Sequence, residues 1–163
     1  MKAFLGVLLG LFFFGWATGR AVNGIRYGQD CGGHLKRAAD ANTIKLAQQE
    51  LAVVLKYLDD HRMTNGYTSI LWQTPDEDIG FWYENLRAAS DELDSVEPSA
   101  TQLERTNVLM KLRETLLDGT SITEPMGISV YPHNGMWAFF GVVSFLLGIV
   151  GCVLIVMWVN DRL

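Results

Sequence analysis

The chain has 163 residues, with 13 Lys+Arg against 18 Asp+Glu and a formal net charge of −5 at pH 7. That length holds one domain with appendages. The acidic balance, with no basic run, argues against a nucleic-acid binder, whose affinity rests on Lys and Arg against phosphate. Two cysteines exclude a disulfide scaffold, and 49% hydrophobic residues exclude wholesale disorder.

The N-terminus opens with Lys2 and then runs without charge from Ala3 to Thr18, AFLGVLLGLFFFGWAT. A basic start and an apolar stretch fit a secretory signal, with small residues at Gly15/Ala17 or Ala17/Gly19 for cleavage. The same stretch just reaches the lower length limit of a membrane span. With Arg20 snorkelling to the interface, residues 1–22 read as an N-terminal transmembrane helix or uncleaved signal anchor. Gly-Gln-Asp precedes Cys31, so no lipidation signal stands there. Residues 23–33, rich in glycine, read as a linker.

Residues 34–119 read as a helical domain. A long helix fits Leu35 to about His61, because Ile44, Ala47, Leu51, Val54, Leu55 and Leu58 recur at threes and fours. Asn65–Gly66 has the chemistry to turn the chain. Tyr67–Trp72 is short, aromatic and β-branched, a strand or a packed loop. Thr74-Pro75-Asp76-Glu77 then has the form of a capping box with proline at the first helical position. The helix it opens carries an apolar stripe of Ile79, Trp82, Leu86, Ala89 and Leu93. Pro98 breaks the chain, and Ser99 or Thr101 caps a third helix. Its apolar side is Leu103, Met110 and Leu117, with Leu109, Leu112 and Leu116 beside them, and Gly119 is its stop. Residues 120–135 hold two prolines and read as an extended connector.

Met136 to Val159 is the strongest signal: 24 residues with no charge, 14 of them Leu, Ile, Val or Phe. As a helix this spans roughly 36 Å, against a hydrocarbon core of about 30 Å. Those 14 side chains favour insertion by roughly 4–8 kcal/mol before the small residues are counted. Trp137 and Trp158 bracket the segment at headgroup level. Residues 160–163 are a short cytoplasmic tail. No Lys or Arg lies between Glu114 and Asp161, whereas Arg162 follows the span, which places the C-terminus in the cytoplasm. Lys2 agrees with that orientation, whereas Arg20, Arg26, Lys36 and Arg37 oppose it. A signal and an anchor both export the middle of the chain.

The fold class expected is therefore mainly α. Two terminal transmembrane helices flank a three-helix exported domain with a short extended segment, in a cell (inner or plasma) membrane. Both spans carry small residues at packing intervals: Gly6, Gly10, Gly15 and Gly19 in the first, and Ser144, Gly148 and Cys152 in the second.

Candidate chemistry is thin. Cys31-x-x-His34 has a spacing metals use, but no second pair completes a site, so a flexible linker is the preferred reading. Asp59-Asp60-His61 sits at a helix end, where the dipole alone accounts for the histidine. Asp76 to Glu97 holds eight carboxylates and one cation, Arg87. It lacks the spaced ligands and central glycine of a calcium hand, so a solvated face is preferred. No phosphate loop, nucleophile elbow or dinucleotide fingerprint occurs. No catalytic, cofactor or metal residue is assigned.

Phe81-Trp82-Tyr83 cannot all face one core. Trp82 fits the interior, while Trp72, Phe81 and Tyr83 are candidate interface residues. The function expected is a membrane-anchored scaffold, a subunit or accessory factor of a larger assembly. Its partners are membrane lipid and either copies of itself or other membrane proteins, with no nucleic acid. The alternative is a ligand sensor that depends on a partner, since four residues after the second span cannot house an output domain. An enzyme or channel is the third reading, and uncharged spans lack the usual marks of an ion path.

Overall fold

The computed structural model describes residues 1–162. The chain is mainly helical and divides into two compact units, Met1–Gly24 with His133–Leu163, and Ile25–Pro132.

The terminal unit pairs α1 (Lys2–Tyr27), up to Gly24, with α6 (Asn134–Asn160). The helical run Lys2–Ala39 and α6 each contain an 18-residue stretch long and apolar enough to cross a membrane, with mean hydropathy 1.5 and 2.8 over those stretches. The two helices run antiparallel. Lys2 Nζ meets Asp161 Oδ2 at 2.7 Å at one end. At the other, Trp16 Nε1 donates to the Trp137 carbonyl at 3.0 Å.

The middle unit is a bundle of short helices: α2 (Gly33–Ala39), α3 (Ile44–Asp60), α4 (Ile79–Asp94) and α5 (Gln102–Leu116). Two expectations are corrected here. Residues 23–33 are helical rather than a linker: α1 continues through Tyr27, a π-helical turn spans Gly28–Gly32, and α2 follows. Tyr27, Cys31 and Leu35 from this run are buried in the core, which holds the glycine-rich stretch in helix despite its propensity. The single helix expected over Leu35–His61 is broken at Asp40–Thr43. Thr43 is the N-cap of α3 and accepts from the Leu46 N–H at 3.3 Å, so a four-helix arrangement replaces the expected three.

The α3 stripe reads as expected: Ala47, Leu51, Val54 and Leu58 are buried. Its end does not wait for Asn65–Gly66. Arg62 takes a left-handed φ of 57°, and Met63 N–H reaches back to the Leu58 carbonyl at 2.8 Å, a Schellman-type closure that buries Met63. Asn65–Gly66 makes a separate turn, where Gly66 at φ 96° lies under Tyr131, whose hydroxyl donates to the Asn65 carbonyl. A side chain at Gly66 meets both strain and that ring.

The start of α4 is also displaced. Thr74 precedes a 3-10 turn, Pro75–Glu77, and the N-cap of α4 is Asp78, whose carboxylate accepts from Phe81 N–H at 3.0 Å. The α4 stripe of Ile79, Trp82, Leu86 and Leu93 is buried. The capping box of α5 stands on Thr101 and Glu104. Its apolar side is rotated from the one expected: Leu112, Leu116 and Leu117 are buried, whereas Leu103 and Met110 are exposed. Gly119, φ 63°, sits in the hairpin turn joining β1 (Leu117–Asp118) to β2 (Ser121–Ile122). Tyr67–Trp72 pairs with neither strand; Tyr67 forms a lone antiparallel bridge with Asp78.

Polar ties set the bundle's register. Asp59 accepts from the Tyr83 hydroxyl at 2.6 Å, and Gln48 donates to the Leu93 carbonyl and to Asp94. These bonds make α3 and α4 antiparallel. Arg113 to Asp40 at 3.2 Å and Lys111 to Glu92 at 2.7 Å attach α5.

Candidate functional site

The α1/α6 seam sorts the predicted small residues. Gly6 lies against Ile155 and the Gly151 carbonyl, and Gly10 N faces Gly151. Gly19 lies under the Trp137 ring, and Gly148 meets Phe13. Ser144 is buried and turns its hydroxyl to the Phe140 carbonyl of its own helix. Gly10 also has open space at its missing side chain and touches the seam only through its backbone N. Two predicted residues lie off the seam: Gly15, exposed with nothing near its missing side chain, and Cys152, exposed. Two that the four-residue spacing missed lie on it. Gly141 receives the Trp16 ring, and Gly151 touches the Gly6 carbonyl. The seam therefore repeats as Gly141, Ser144, Gly148, Gly151 and Ile155. Alternating steps of three and four keep one face of a helix toward its partner, as in coiled coils.

The middle unit presents a different feature. Its residues 67–78 form a loop whose neck is closed by backbone bonds: Thr68 N–H to the Glu77 carbonyl at 3.1 Å, and Ile79 N–H to the Gly66 carbonyl at 2.9 Å. The Tyr67–Asp78 bridge lies between them. Thr74 Oγ1 donates to Glu77 at 2.9 Å and stiffens the return limb. Beyond the neck Ile70, Leu71 and Trp72 are exposed, Leu71 at 78% and Trp72 at 72%. Phe81, in the first turn of α4, is 66% exposed. Of the three predicted interface residues, Trp72 and Phe81 are open to a partner. Tyr83 is not: it is 7% exposed and bonded to Asp59. Trp82 is buried as expected, its indole donating to the Thr123 carbonyl at 2.7 Å.

The other candidates become structural. His34 pairs with Glu50 at 2.6 Å and Arg37 with the same carboxylate at 2.7 Å, so His34 is a helix-to-helix tie rather than part of a flexible linker. Burial pushes Glu50 up, but the bonds from His34 and Arg37 outweigh it and hold the carboxyl below its ordinary range. Cys31 is fully buried. His61 stacks on Tyr57 and bonds its carbonyl. Among the described residues no group of three or more His, Cys, Asp or Glu is placed to hold a metal. Of the eight carboxylates from Asp76 to Glu97, Asp78 caps α4, Glu92 pairs with Lys111 and Asp94 accepts from Gln48.

One acid was not foreseen. Glu124 accepts from the Tyr27 hydroxyl at 2.7 Å in a part-buried bond. The residue as a whole is exposed, but its carboxylate is crowded, and that local desolvation raises its pKa despite the bond from Tyr27. Nothing in the local sequence marks Glu124, because Tyr27 lies 97 residues away.

No family model matches the chain, and neither a curated protein nor a solved structure is detectably similar to it.

Proposed function

We propose that this chain is a membrane-anchored interaction protein, a subunit or accessory factor of a larger membrane assembly, with its middle residues outside the cytoplasm. The observation that carries this reading is the loop at residues 67–78. Its neck is closed by backbone hydrogen bonds, and its tip displays Ile70, Leu71 and Trp72 to solvent. Ordering a loop in order to expose a tryptophan and two large aliphatic side chains makes physical sense when a partner covers them.

Two further observations support the tethered arrangement. Apolar side chains cover the outside of the terminal unit, Phe4, Leu8, Leu11, Phe139, Phe145 and Val156 among them, as a lipid surround requires. The antiparallel pairing of α1 with α6, closed by Lys2 and Asp161, sets both ends of the pair on one side. Lys2 and Arg162 support the cytoplasm as that side, against the opposing pull of Arg20, Arg26, Lys36 and Arg37.

Native membranes dissolved in mild detergent test the reading. The full chain is expected in a particle heavier than its own monomer, and Leu71→Ser with Trp72→Ser should release it. A monomer in both cases, or a particle indifferent to the double substitution, overturns the proposal. Reporter fusions after Leu163 and near Gly119 test sidedness, with a cytoplasmic signal expected only from the first.

A further inference from the structure

The exposed loop has a counterpart at the opposite pole of the same bundle. α3 and α4 are antiparallel, so the 67–78 loop sits where α3 ends and α4 begins. At the other pole a groove of about 1050 Å³ opens between the start of α3, the residues after α4, and α5. Ile44, Val96, Leu109 and Met110 supply its apolar lining, and Met110 is 56% exposed. The two features are separated by roughly the length of α3, about 26 Å at 1.5 Å per residue. One copy therefore cannot fill its own groove with its own loop.

Their charges are complementary. No Lys or Arg lies between Arg62 and Arg87, while Asp76, Glu77, Asp78 and Glu84 do. The groove is bordered by Lys45, Arg105 and Arg113 against Asp40 and Glu97. Asp40 is paired with Arg113, while Glu97, which accepts from the neutral Ser99 hydroxyl, keeps its charge, so these five groups leave the groove a net charge of +1. Lys45 and Arg105 have no ion pair among the described residues, though Arg105 donates to the Pro98 carbonyl. An apolar tip with an acidic return limb thus matches an apolar groove of net positive charge, in which Lys45 and Arg105 make no ion pair among the described residues. The same acids disfavour an anionic lipid surface as the tip's target.

We propose that the tip of the 67–78 loop docks into the α3/α5 groove of a second copy of this chain, head to tail. The inference rests on the reading of that loop as a contact surface and names its partner. The two patches differ, so the contact is heterologous: each added copy leaves one tip and one groove free, and the chain of copies grows. Tethering all copies in one bilayer raises their effective concentration and lets a small contact suffice.

Cross-linking of the full chain in liposomes tests this. Cys152→Ser removes the exposed thiol, and Leu71→Cys with Thr106→Cys places one thiol on the tip and one in the groove. Mild oxidation is expected to give a ladder of dimers, trimers and higher species. Either cysteine alone should give no band beyond the dimer. Lys45→Glu with Arg105→Glu should cut the ladder at least tenfold, and adding Asp76→Lys with Glu77→Lys should restore it. No ladder from a chain that keeps its helical circular dichroism, or a ladder indifferent to charge reversal, overturns the inference. If the ladder is absent while the native particle still depends on Leu71 and Trp72, another protein occupies the loop: self-docking fails and the contact-surface reading survives. If that particle ignores Leu71 and Trp72, the reading beneath it fails as well.

Discussion

Substitution at Gly151 separates close backbone packing from a generic abundance of glycine. A Cβ built on Gly151 lies 2.7 Å from the Gly6 carbonyl oxygen and 3.3 Å from Leu9 Cβ. The first neighbour is backbone and has no rotamer to change. To bring that contact to an ordinary 3.4 Å, α1 must retreat by about 0.7 Å, a gap that forfeits roughly a quarter to a half of the dispersion well for the pairs it opens. Gly151→Ala should therefore cost about 1–3 kcal/mol of pairing free energy, the range seen for overpacked contacts. At tenfold per 1.4 kcal/mol, the population of separated helices rises roughly 5- to 150-fold. Gly15→Ala is the control, since nothing lies within 4 Å of its Cβ. Gly148→Ala, with Phe13 at 3.6 Å, should be neutral. The assay is energy transfer between dyes near positions 2 and 161, followed through a detergent titration in bicelles. If Gly151→Ala behaves like Gly15→Ala, close approach does not hold this pair together.

Three further expectations follow from the middle unit. Leu51→Ala, in a fully buried position, should lower unfolding free energy by about 2–5 kcal/mol, whereas Leu103→Ala should stay within about 0.5 kcal/mol; chemical denaturation of the full chain compares them. Thr101→Ala removes the α5 cap and should cost about 0.5–2 kcal/mol, with a smaller loss for Thr74→Ala, which caps no long helix. Glu124 carries a raised carboxyl pKa from desolvation, so the folded state holds its proton more tightly than the unfolded chain. Its contribution to stability is complete below the ordinary carboxylate range and is lost as pH rises through the raised value. Glu124→Gln should flatten that decline in melting temperature between pH 4 and 8, and an unchanged slope would remove Glu124 as its source.

Periodicity alone determined a good deal. The apolar stripes of α3 and α4 name their buried residues correctly because a helix repeats every 3.6 residues whatever it packs against. The two long uncharged runs become helices of spanning length for the same local reason, and the Thr101–Glu104 box needs only four consecutive residues. The misses include local signals, the Thr74 box overtaken by Asp78 and the Thr43 cap that splits the first long helix, but most lie in features decided by residues far apart. The glycine-rich stretch at 23–33 is helical because Tyr27 and Cys31 are buried in a core built from α3, α4 and α5. Leu103 and Met110 are left exposed because α5 is turned to bury Leu112 and Leu116 against α2, α3 and α4, with the exposed pairs Lys111–Glu92 and Arg113–Asp40 following that rotation. Four-residue spacing offered Gly15 and Cys152 as equals of Gly6. Only the partner helix, with Trp16 in the Gly141 notch and Gly6 against Gly151, decides which small residues lie where two backbones meet. The loop tip was visible as a run of aromatic and β-branched residues, but not as an exposed one. That depends on the bonds from Gly66 and Thr68 to Glu77 and Ile79, which close the neck and hold the tip away from the core.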